Sequence, residues 1–156
     1  MPISCGKPAN KDEIKILEEK FIISLPEDYK DFLRLKNGFI VKSPGFCELE
    51  YEGVDEGVIA FYALFGINMK NPNHDIFRQN ENFLNELDFI DDKLIIGDEP
   101  GGNFYLILNG SESQGVIIEI EHIYMLRMIS KSLRSLSKMS AAISIKLLMA
   151  LLNFTR

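Results

Sequence analysis

KLIIGDEPGGNFYLILNGSESQGVIIEI, residues 93–120, decides the fold class. Residues 93–97 form a short apolar run, 98–103 (DEPGGN) a turn, and 104–108 (FYLIL) a second run. A polar turn at 109–115 leads to a third run at 116–121. Parallel neighbours need a crossover of about a dozen residues or more, and neither turn is that long. The stretch therefore predicts an antiparallel meander of three strands. Gly101 and Gly102 fit a hairpin turn because glycine takes positive φ without steric cost.

Outward from the meander, residues 74–87 read as a helix with Ile76, Phe77, Phe83, Leu84 and Leu87 as its apolar set. Residues 68–73, rich in Asn and containing Pro72, read as a loop. The apolar run 58–64 predicts one buried strand. Between 46 and 52 the period is two: Phe46, Glu48, Glu50 and Glu52 alternate with Cys47, Leu49 and Tyr51. That pattern predicts a half-exposed strand with three acids on one face, about 7 Å apart. Residues 53–57 form a turn bearing Asp55 and Glu56.

At the N-terminal end, LPEDYKDFLRLKNG (25–38) opens a helix on Pro26 and closes it at Gly38. Glu27 and Asp28 complement the positive end of its dipole. Asn10 and Glu13 have the spacing of a capping box ahead of a helix over 11–20. Residues before Asn10, with Pro2, Gly6 and Pro8, read as flexible. Residues 124–153, rich in Leu, Met, Ala, Lys and Arg, read as a terminal helix. The expectation is one α+β domain over 1–156. It has a mostly antiparallel sheet of about five strands, flanked by N-terminal, central and C-terminal helices.

Charge divides the chain. Residues 1–121 hold all 23 Asp and Glu against 11 Lys and Arg, a net −12, whereas residues 122–156 hold six bases and no acid. An acidic body repels nucleic acid and attracts basic partners. The start of the chain has no apolar core of the signal-peptide kind. The apolar stretch 141–154 is interrupted by Lys146 and is shorter than the roughly 20 residues of a spanning helix. The expected location is cytoplasmic, with no membrane span. Cys5 and Cys47 are expected to be reduced and lack metal-ligand spacing.

No nucleophile, zinc-protease, phosphate-loop or dinucleotide motif is present, so no cofactor and no catalytic residue is expected. His74 and His122 read as surface or capping residues. The acid pairs Asp55/Glu56, Asp91/Asp92 and Asp98/Glu99 fall in predicted exposed turns, where carboxylates stay ordinary ions. The candidate partner-binding set is Glu48, Glu50, Glu52, Asp55, Glu56, Asp98 and Glu99, facing the Lys and Arg groups of a basic protein.

Two motifs resemble the SUKH superfamily, which includes bacterial toxin-immunity proteins and the yeast regulator of cell-wall glucan synthesis. They are LPEDYKDFLRLKNG at 25–38 and IIGDEPGGN at 95–103, the latter followed by the strand FYLIL. GVIIEI at 115–120 stands where that family carries a further strand, so the likeness spans residues 11–121. It implies an α+β binding module with Leu25, Pro26, Tyr29, Phe32, Asn37, Gly38, Gly97, Asp98, Gly102 and Asn103 as scaffold. It also implies an immunity protein that blocks a cognate toxin, often a nuclease. The alternative it implies is a regulatory adaptor. The acid-free tail departs from the family's usual polar, acidic terminal helix.

Overall fold

The computed structural model describes residues 3–42, 45, 47–50, 58–88, 90–108, 116–120 and 143–144. In chain order the strands are β1 (Ile3–Cys5), β2 (Phe39–Val41), β3 (Cys47–Glu50), β4 (Val58–Phe61), β5 (Ala63–Leu64), β6 (Lys93–Asp98), β7 (Phe104–Leu108), β8 (Val116–Ile120) and β9 (Ile143–Ser144). The helices are α1 (Lys11–Phe21), α2 (Glu27–Leu35) and α3 (Ile76–Phe83), with 3-10 turns at Pro72–His74 and Leu84–Leu87. Seven strands form one sheet in the order β1-β2-β5-β6-β7-β8-β9, and β3-β4 form a second. Every pairing between named strands is antiparallel. The α+β expectation holds, with a sheet wider than the five strands expected.

The meander pairs as its short turns require. β6 runs against β7 from Lys93↔Leu108 to Asp98↔Phe104, and β7 against β8 from Phe104↔Ile120 to Leu108↔Val116. A register shift between Ile95 and Gly97 bends β6. One apolar cluster joins helices and sheet; it includes Leu17, Tyr29, Phe32, Phe39, Leu94 and Leu106. Leu25, Tyr29 and Phe32 of the first motif are thus core residues.

The capping box forms as read: Glu13 N donates to Asn10 Oδ1 at 2.9 Å, and Asn10 N to Glu13 Oε2 at 2.8 Å. Asn37 does more than end α2. It takes positive φ, and its buried side chain donates to the carbonyls of Lys7 (2.7 Å) and Ile67 (2.8 Å) and accepts from Ile67 N (2.7 Å). Three segments are latched by one carboxamide. Gly38 follows at φ 85, where a Cβ would lie 2.8 Å from Leu64 O, so both its dihedral and its close approach require glycine.

Four expectations are corrected. Residues 3–5 are not flexible: Ile3, Ser4 and Cys5 pair with Val41, Ile40 and Phe39. Three residues carry too little period to be read alone, and the partner strand fixes them. The run 58–64 is not one strand, because Phe61 ends β4 in the small sheet and Ala63 begins β5 in the large one. Tyr62 between them donates to Asp98 O and accepts from Val41 N, each at 3.0 Å. The helix expected over 74–87 is shortened because Asp75, with extended backbone, caps α3 through Phe77 N and Arg78 N, both at 3.1 Å. Ile143 and Ser144 are strand, opposite Ile117 and Val116, rather than helix. The rest of the expected terminal helix lies outside the described residues, as do the turns at 53–57 and 109–115.

Candidate functional site

The predicted acid set divides. Glu48 is exposed on β3, opposite Ala60 of β4, and Glu50 is opposite Val58 in the same strand. Glu52, Asp55 and Glu56 lie outside the described residues. Asp98 and Glu99 do not behave as outward acids. Glu99 folds over its own turn, where its Oε1 accepts from Asn103 N at 3.1 Å while Gly102 N donates to Glu99 O at 3.0 Å. Gly102 supplies the positive φ of that turn (89°), and Gly101 does not.

Asp98 closes β6 and is half-buried, which corrects the expectation of an ordinary turn carboxylate. Its Oδ1 is screened from solvent and has no hydrogen-bond partner. Burial pushes its carboxyl up to about 7, and the neighbouring Glu99 charge adds to this, against the opposing pull of the Ala63 backbone N–H.

Asp98 opens onto a cleft of about 440 Å³ between the 98–103 turn, the 3-10 turn Pro72–His74 and α3. Tyr62, Phe83 and Phe104 give it aromatic walls, and Asn71, Asn73, Gln79 and Asn82 line it with carboxamides. Phe83 and Phe104 meet at 5.3 Å between ring centroids. His74 is the second correction: it is 9% exposed, inside the cleft wall rather than on the surface. Its ring meets Tyr62 edge-on at 6.1 Å, and its Nδ1 has no hydrogen-bond partner. Burial lowers its pKa, favouring the neutral imidazole. His122 lies outside the described residues.

Hydrogen bonds tie the cleft walls together. Asn80 of α3, 1% exposed, donates to Ile76 O and Ile95 O and accepts from Ile95 N, each at 2.8 Å. That amide satisfies the backbone of β6 beside its bend and fixes α3 against the sheet. Gln79 Nε2 donates to Pro72 O at 3.2 Å, which ties the helix to the 3-10 turn. Asp98 and Gly102 belong to the second motif, but Tyr62, Asn71, Asn73, Gln79, Asn82 and Phe83 belong to none and carry no motif signal. The legible signal was compositional: Asn at 68, 71, 73, 80 and 82, with Gln79, within fifteen residues.

Among the described residues no three His, Cys, Asp or Glu side chains gather as a metal ion would need. Nor is any helix among them long and apolar enough to cross a membrane. Cys5 is an exposed free thiol. Two walls of a polar cleft and an acidic strand suit recognition of another molecule's groups.

No curated protein matches the chain. A family model does, over residues 8–137, and covers both motifs, the capped helices, the meander and the cleft. The chain belongs to the SMI1/KNR4 family (SUKH-1).

Proposed function

We propose that this chain is a non-enzymatic binding protein of the immunity type, which sequesters a basic bacterial toxin and blocks it. The observation that carries the reading is the SUKH-1 match over most of the chain. The partner's sign comes from the 23 acids against 11 bases in residues 1–121. Such a field draws a cationic protein to the surface and speeds its encounter. A nuclease toxin presents a basic groove to phosphate, and carboxylates at phosphate-like spacing occupy it by attraction and occlusion. Glu48, exposed on a strand paired along its length with β4, supports the reading because paired strands hold a charge at a fixed place. No bond is made or broken in this mechanism.

Co-expression tests it. The protein encoded beside this chain's gene should arrest growth alone, and this chain should restore growth and co-purify with it in a salt-sensitive complex. Failure to restore growth, with capture of several housekeeping proteins instead, would favour a regulatory adaptor.

A further inference from the structure

We propose that the cleft between α3 and the 98–103 turn is a guanidinium pocket that receives an arginine side chain of the partner protein. The proposal rests on the protein-binding reading above and assigns it a contact that includes no residue of the acidic strand.

Charge sets the sign of the ligand. Among the described lining residues Asp98 is the one acid, and no Lys or Arg is present. An anion entering here would lose its hydration against a carboxylate, whereas a cation gains a counter-charge. The orphaned atoms point the same way: Asp98 Oδ1 and the Nδ1 of His74, in a side chain more than nine-tenths buried, are screened from water and lack a protein partner. A half-buried carboxylate without a counter-cation weakens the folded state, and a bound cation offsets that cost.

Shape and hydrogen bonding choose guanidinium over ammonium. A planar guanidinium stacks on aromatic rings and presents five N–H donors in a fixed fork. The cleft is lined by the rings of Tyr62, Phe83 and Phe104. It offers the Asp98 carboxylate as a charged acceptor, and the carboxamides of Gln79 and Asn82 line the same cleft. Gln79 already donates its N–H to Pro72 O, which leaves its oxygen as acceptor. The volume, about 440 Å³, falls in the usual range of ligand sites.

A pH dependence follows from the groups facing Asp98. Glu99 lies on its own turn, His74 faces it from the 3-10 turn and Tyr62 from the β4–β5 bend. The lining residues of α3 and β7 are Gln79, Asn82, Phe83 and Phe104, none of them charged. With its carboxyl pushed up to about 7, Asp98 goes from about one-tenth to about nine-tenths ionised between pH 6 and pH 8. Affinity for a cation should rise about ten-fold over that interval.

The test is a ¹H–¹⁵N chemical-shift titration of the full chain with N-acetylarginine amide, with N-acetylcitrulline amide as its uncharged near-isostere and N-acetyllysine amide as the ammonium. Arginine amide should shift the His74, Asp98 and Gly102 resonances saturably, with Kd on the order of millimolar at pH 8 and about ten-fold weaker at pH 6. Lysine amide should bind several-fold less well and citrulline amide at least ten-fold less well. Asp98→Asn should abolish both the binding and its pH dependence, while Glu48→Lys leaves both unchanged. Equal shifts from citrulline amide, binding independent of pH in the unaltered chain, or no saturable shift at pH 8 would each overturn the pocket. No partner protein is in the tube, so failure here leaves the toxin reading standing. Loss of toxin neutralisation beside intact arginine binding would overturn that reading alone.

Discussion

Glu48 and Asp98 are both strand carboxylates of one acidic protein, yet their surroundings make them different chemical objects. Glu48 lies exposed in a small separate sheet, where water and salt screen its side chain. Asp98 closes a central strand of the main sheet, half-buried beside a histidine and three aromatic rings, and ionising it is costly. An exposed acid attracts any cation from a distance and distinguishes little. A desolvated acid in a shaped cleft acts at contact range and rewards only a cation that fits. A binding protein can use the first to gather its partner and the second to choose it.

The comparison can be broken most forcefully at the joint between the two regions. Phe61 ends β4 of the small sheet, is fully buried, and stacks on Tyr105 of the main sheet at 4.3 Å. The Tyr105 hydroxyl donates to Ala60 O at 2.5 Å, next to Phe61 in the chain. Phe61→Ala should cost about 3–5 kcal/mol in denaturant unfolding. A loss under about 1 kcal/mol would mean that the small sheet is not anchored to the main core here.

A smaller effect, of unusual sign, is expected at Asp98. An unfolded aspartate titrates near 3.9, and the folded one near 7. The folded state therefore holds its proton more tightly, so this residue's contribution is most favourable below about pH 4. It declines as pH rises through 7 and is least favourable above about pH 8. Partial exposure screens the effect to about 1–3 kcal/mol. Asp98→Asn should raise stability at pH 8 by that amount and flatten the slope between pH 5 and 8. Thermal unfolding across pH reads this, and an unchanged slope would place Asp98 among ordinary exposed acids.

The smallest change is expected at Glu48. Glu48→Lys should alter stability by no more than about 0.5 kcal/mol, because an exposed strand charge has little to lose. A drop well beyond that would show Glu48 to be structural.

The sequence made some of this legible and hid the rest for identifiable reasons. The meander was readable because DEPGGN and the polar 109–115 turn are too short for anything but antiparallel pairing. The Asn10–Glu13 cap is readable because capping is local chemistry, and the start of α2 because Pro26 suits a first turn, whereas its end comes at Leu35, ahead of the expected Gly38. The break at Tyr62 was not: an unbroken apolar run carries no mark of where a strand changes sheets, and the bend is set by hydrogen bonds to Val41 and Asp98. Strand β1 was hidden because its pairing partner lies more than thirty residues away. The acidic strand was visible through its period of two. The cleft was not, since Tyr62, His74, Asp98 and Phe104 meet only after the 3-10 turn, the bend and the meander have been assembled. Asp98 was noticed for its charge and misjudged for its burial, which neighbouring letters do not encode.

The most direct measurement is the affinity of the chain for the basic protein encoded beside its gene, the proposed partner, after Glu48, Glu50 and Glu52 are all changed to Lys, at low and at physiological salt. Binding should weaken ten-fold or more at low salt, on the order of 1.4 kcal/mol, with folding intact and a smaller difference once salt screens the charges. Unchanged affinity in a folded triple variant at both salt concentrations would contradict the account.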